Sequence, residues 1–101
     1  MSGVQRGYGY QYETVAASQT TQMLGGAGAA GDYLHRLICT ISSAATATVT
    51  LTDGVTAIAI VPAPVASTGV LDIELNMASF TSGWKVTTGA GVSVVAVGLF
   101  T

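Results

Sequence analysis

The sequence predicts an all-β fold: a β-sandwich or jelly-roll-like domain of about seven or eight strands with an extended N-terminal arm. Three observations predict it. Apolar residues recur with period two in several short runs, as strands with one buried face require. Turn-forming pairs and Gly- or Pro-rich stretches separate these runs at short intervals. No segment sustains a 3.6-residue amphipathic period, ASQTTQML at 17–24 being one brief exception. At 101 residues the chain has room for one domain and no separate substrate domain.

Residues 1–12 form a Gly/Tyr/Gln arm too poor in aliphatics to build a core. Tyr8, Tyr10 and Tyr12 alternate along it, which suits an extended segment with its rings on one face, docked on a neighbouring subunit or on its own domain. The sandwich domain is expected over 13–101. It opens with strand readings for ETVAAS and TTQMLG, followed by the Gly-rich stretch GGAGAAGD at 25–32. That stretch lacks the Gly-Lys-Ser/Thr ending of a phosphate-binding loop, so its glycines are read as permitting a tight, exposed turn.

YLHRLICTI, 33–41, is apolar on both parities and reads as a strand buried on both sides or nearly so. In TATVTLT, 46–52, Val49 and Leu51 share one face, and Thr48, Thr50 and Thr52 share the other. Asp53-Gly54 is the strongest hairpin signal and pairs this strand with VTAIAIV, 55–61, which Pro62 and Pro64 end. After PAPVAST, the run GVLDIELNM points Leu71, Ile73, Leu75 and Met77 inward and Asp72, Glu74 and Asn76 outward. Trp84 and Val86 are read as inward. The last strand, VSVVAVGLF, is apolar on both parities, as expected at the centre of a sheet or at a subunit interface.

Charged residues make up 8% of the chain, against roughly 25% in an ordinary soluble domain. Three basic and five acidic residues cannot cover much of the ~5,000 Å² that a domain this size exposes. Obligate interfaces are depleted in charge, so an oligomer or lattice subunit is expected in preference to a Thr-coated monomer. The candidate interface residues are the arm tyrosines Tyr8, Tyr10 and Tyr12, the cations Arg36 and Lys85, and Val95, Val97 and Leu99 of the last strand. A net charge of −2 offers no basic patch for nucleic acid. No apolar run reaches 18 residues, so no transmembrane helix is expected. The start has no hydrophobic signal core, and the expected site of synthesis and use is a cytoplasm.

No constellation for catalysis emerges, and none is expected. His35 is the one histidine and reads as structural or interfacial. Cys39 has no partner for an internal disulfide and reads as a small buried hydrophobe. No spacing of His, Cys, Asp and Glu suggests a metal or cofactor. Asp72 and Glu74 share a strand face about 7 Å apart, but solvated acids belong on such a face. Trp84 next to Lys85 reads as a core anchor in preference to a sugar-stacking platform.

GDYLHRLICTI, TVTLTDG and GWKVTTGAGVSVVAVGLF together resemble the small virion structural proteins of tailed bacteriophages, over about residues 13–101. The resemblance implies a capsid decoration (cement) protein that clips onto the major capsid protein shell, typically as a homotrimer with a β-sandwich or jelly-roll core. It implies a place on the virion surface after assembly in the host cytoplasm, and it brings no catalytic residues. Two other readings stand beside it: a tail, neck or fibre-associated virion module, and a carbohydrate-binding β-sandwich.

Overall fold

The computed structural model describes residues 9–101, so Tyr8 and most of the arm lie outside the described residues. The described chain runs through β1 (Gln11–Val15), β2 (Gln22–Met23), β3 (Tyr33–Ile41), β4 (Val49–Asp53), β5 (Thr56–Val61), β6 (Gly69–Ala78), β7 (Trp84–Thr88) and β8 (Val92–Leu99). β1 opens two residues inside the stretch read as the arm, so Gln11 and Tyr12 are strand residues.

The strands form two four-stranded antiparallel sheets, ordered β1-β8-β3-β6 and β2-β7-β4-β5. Each sheet contributes one apolar face to a shared core. Val15, Leu34, Leu37, Cys39, Ile41, Val92, Val94 and Ala96 come from the first; Val49, Leu51, Val61, Trp84 and Val86 come from the second. Trp84 is buried as expected, and its indole nitrogen donates to the Asp32 carbonyl at 3.0 Å, which satisfies the one polar group the ring carries into the core. β8 lies between β1 and β3, the central place its composition predicts.

β3 departs from the expectation of a strand buried on both sides. Leu34, Leu37, Cys39 and Ile41 are buried, whereas Thr40 is exposed and Tyr33, His35, Arg36 and Ile38 are half-buried. A bulge between Leu34 and Arg36 explains the mixed parity. The extra residue, His35, lets Leu34 and Leu37 face inward although they are three positions apart. β6 is also less buried than its clean alternation predicts. It is an edge strand, and Leu71, expected inward, is 41% exposed. Ile73, Leu75 and Met77 pack against the core while remaining partly open to solvent.

The β4–β5 hairpin forms, but one residue later than an Asp-Gly turn would place it. Asp53 pairs with Thr56 as the last rung, and Gly54, with φ of 63°, leads the turn. Glycine at the first central position is what a type II′ hairpin turn uses. Asp53 is thereby released for another task. Its buried carboxylate accepts from Ser79 Oγ at 2.7 Å, the Phe80 amide at 2.7 Å and Thr81 Oγ1 at 2.8 Å, with a longer bond from the Thr81 amide. Burial alone would push this carboxyl up; the hydrogen bonds outweigh it and hold it down at about 2.

The Gly-rich stretch after β2 is a turn, and it is also a clasp. The amides of Gly26, Ala27 and Gly28 all donate to the Thr101 carbonyl oxygen, at 2.9, 3.0 and 3.3 Å. Asp32 closes the other side, accepting from the Thr101 hydroxyl at 2.9 Å and its amide at 3.2 Å. Backbone amides and the Asp32 carboxylate thereby hold Thr101 to a loop about seventy positions earlier in the chain, with no disulfide.

Candidate functional site

The outward face of the β1-β8-β3-β6 sheet gathers most of the candidate interface residues. Strand register sets them in rows. Tyr12 lies beside Val97, Val97 beside Arg36, and Arg36 beside Glu74. The next row runs Thr14, Val95, Ile38 and Asp72. Leu99 lies beside Tyr33 at one end of the sheet. Alternation in β8 buries Val92, Val94 and Ala96 and turns Val95, Val97 and Leu99 outward. Tyr12 is 73% exposed and Leu99 45%. The central strands of this surface therefore present Val95, Val97 and Ile38 beside Arg36, with Tyr12 on the edge strand β1.

A polar cluster stands on the same face, built around the β3 bulge. Tyr10 stacks on the His35 ring with centroids 4.5 Å apart and planes 22° apart, and Tyr33 lies 5.7 Å from Tyr10. Asn76, which adopts a left-handed φ of 52°, receives the Tyr33 hydroxyl at 2.6 Å and His35 Nδ1 at 2.9 Å on one side-chain oxygen. Asparagine is among the few non-glycine residues that take this conformation readily. Nδ1 therefore carries the histidine proton, and Nε2 presents its lone pair to Arg36 Nη2 at 3.3 Å. Arg36 reaches across to Asp72 with an N–O distance of 2.6 Å. Desolvation raises the Tyr33 hydroxyl above its ordinary range, helped by Tyr10 and Glu74.

Lys85 is not part of this surface. It lies in β7 of the other sheet, in register with Thr52 and Met23. The outward side of that sheet carries Thr50, Thr52 and Thr87 around it, a flat and mostly hydroxylated face. Sequence reading named Tyr10, Tyr12, Arg36, Val95, Val97 and Leu99 but not Tyr33, Ile38 or Asn76. The outward parity of Tyr33 and Ile38 was hidden by the bulge, and nothing local marks Asn76 as a partner of His35.

Three other residues weighed from the sequence are held in packing or pairing. Cys39 is fully buried, and burial pushes its thiol up to about 11, far from the range of a reactive cysteine. Asp72 is engaged by Arg36, and Trp84 is enclosed in the core. Among the described residues no three His, Cys, Asp or Glu side chains come together as a metal site would need. No helix among them is long and apolar enough to cross a membrane. Comparison with protein-family models, with curated proteins and with solved structures returns no significant match to this chain.

Proposed function

We propose that the chain is a head decoration (cement) protein of a tailed bacteriophage, which binds the major capsid protein lattice as a homotrimer and stabilises the shell without catalytic chemistry. The observation that carries this reading is the outward face of the β1-β8-β3-β6 sheet. It sets Tyr12, Val95, Val97 and Leu99 side by side in a chain with 8% charged residues. The β1–β8 half of this face presents apolar and aromatic side chains that interfaces favour, while Arg36, Asp72 and Glu74 stand on its β3 and β6 side. A cement subunit needs a rigid core and adhesive faces, and repetition over a symmetric shell multiplies weak contacts through avidity.

We read the core more finely as a jelly roll. The pairs β1–β8, β2–β7, β3–β6 and β4–β5 support it, because they nest as one long antiparallel ribbon folded over on itself. Of the features that motivated carbohydrate binding, Trp84 is buried, while Tyr10, Tyr12 and the Asp72/Glu74 face stay exposed. The test is light scattering on purified protein, then sedimentation and heating with shells of the major capsid protein of its particle. A trimer that co-sediments and raises the shell's disruption temperature is expected. A monomer that leaves shells unbound and unprotected refutes the reading, and labelling at the tail in cryo-microscopy replaces it with a tail or neck role.

A further inference from the structure

We infer that a proton on His35 decides whether Arg36 is locked onto the outward face of the β1-β8-β3-β6 sheet or released from it, which makes that face sensitive to pH. His35 is the extra residue of the β3 bulge and the one histidine of the chain. Its ring is held on three sides. Tyr10 stacks on it with centroids 4.5 Å apart, Asn76 Oδ1 lies 2.9 Å from Nδ1, and Arg36 Nη2 lies 3.3 Å from Nε2. A guanidinium has only N–H donors, no acceptor, and keeps its proton. Nε2 must therefore be the acceptor, and the neutral ring must carry its hydrogen on Nδ1. Asn76 answers with an oxygen, which also receives the Tyr33 hydroxyl at 2.6 Å. The network thus selects one tautomer and one charge state together.

Protonation leaves two of the three contacts in place. Nδ1–H still donates to Asn76, and the face of Tyr10 attracts a cation. At Nε2 the new N–H meets an N–H of Arg36, donor against donor and cation against cation. The Arg36 contact is the one that gives, because the guanidinium has somewhere else to go. Its Nη1 is already 2.6 Å from Asp72 Oδ2, in a pair whose side chains are 33% and 50% exposed, and Glu74 stands opposite Arg36 in register. Among the described residues, these two carboxylates of β6 and the phenols of Tyr10 and Tyr33 are the other titratable groups around the pair; β8 places uncharged Val97 beside Arg36. The face therefore has two forms. In one, Arg36 bridges His35 and Asp72 across β3 and β6; in the other it belongs to β6 alone, and its former place over the bulge is open.

The test is a titration of isotope-labelled protein by proton–nitrogen magnetic resonance from about pH 8 to about pH 5, the range in which an imidazole changes charge. Every imidazole signal belongs to His35, and Arg36 shares the guanidinium region with Arg6 alone, so an Arg6→Lys chain assigns it. At the alkaline end the ring is expected as the Nδ1–H tautomer, a reading that needs no variant. As the ring protonates, the Arg36 Nε–H signal is expected to shift with the same midpoint, and to lose that shift in His35→Gln. An Nε2–H tautomer at the alkaline end would overturn the inference. So would an Arg36 signal that stays still while the ring titrates, or one that moves alike in His35→Gln. Carboxylates ordinarily titrate well below an imidazole, so their response is distinguished by its midpoint. All of these readings are made on the protein alone, so the inference fails or holds independently of the capsid reading.

Discussion

Replacing Asp53 tests how the loop before β7 is held. Its carboxylate collects three short hydrogen bonds, from Ser79 Oγ, Thr81 Oγ1 and the Phe80 amide. Hydrogen bonds to a charged acceptor contribute about 1.5–3 kcal/mol each, and a buried donor left unpaired costs about 1–3 kcal/mol. The Thr81 hydroxyl can turn toward water, but the buried Ser79 hydroxyl cannot. Asp53→Ala therefore costs about 3 kcal/mol and Asp53→Asn about 2, since the amide oxygen keeps some of the donors. For a domain of this size that is a fall in Tm of roughly 12–24 °C for Asp53→Ala and roughly 8–16 °C for Asp53→Asn. Urea unfolding followed by Trp84 fluorescence measures it. The pH dependence supplies an independent check. The folded-state value of about 2 lies below the usual aspartate value, so the stabilisation is complete above the unfolded-state value. It fades as pH falls toward 2. The gap between wild type and Asp53→Asn must therefore narrow between pH 5 and pH 2, those limits following from the unperturbed aspartate value near 3.9. A gap under about 0.5 kcal/mol at neutral pH, the scatter of ordinary surface substitutions, or one that does not narrow, refutes the reasoning.

Three further outcomes follow from the same geometry. Cys39, with its thiol at about 11 and no exposure, resists iodoacetamide at pH 8 in folded protein and reacts on unfolding, as intact-mass spectrometry will show. Gly83→Ala costs more than about 2 kcal/mol by urea titration, because φ is +97° and an added Cβ would lie 2.7 Å from the Gly28 Cα and 2.8 Å from the Ala29 nitrogen. Arg36→Ala changes stability by less than about 1 kcal/mol, since its pair with Asp72 is well exposed to solvent. Under the proposed function the same variant binds capsid shells more weakly, and sedimentation separates the two effects.

The fold was legible where a strand's periodicity is local. β5 and β8 stand close to where alternation and turn residues put them, because a half-buried strand writes its two faces directly into the chain, whereas β4 begins only at Val49 and keeps Asp53, and β7 continues through Thr88. It was illegible where pairing alters the pattern. The β3 run looks apolar on both parities, yet one face is open, and the bulge at His35 that reconciles the two depends on register with β6 and β8. Asp53 is read from sequence as a turn residue, and its carboxylate instead organises a loop more than twenty-five positions later. The clasp on Thr101 is of the same kind: the glycines announce backbone freedom, but not which oxygen their amides will hold.

The candidate surface shows the same division, and it bears on how the protein is to be tested. Val95, Val97 and Leu99 could be selected from β8 alone, because parity separates them from Val92 and Val94. Their neighbours Tyr12, Arg36 and Ile38 come from β1 and β3, brought in by register and not by proximity in the chain. A face assembled this way has few ways to fail in isolation. The Asn76 hydrogen bonds tie β6 to Tyr33 and His35 of β3, and His35 in turn stacks on Tyr10, so a substitution at Asn76 disturbs the edge of the sheet as well as the surface. Val97 and Tyr12 face outward side by side on β8 and β1 and are absent from the stack and the Asn76 hydrogen bonds, although Val97 lies opposite the β3 bulge. Replacing both with serine removes apolar surface while leaving the backbone ladder intact. A loss of shell binding in that variant, at unchanged urea midpoint, would then report on the interface itself.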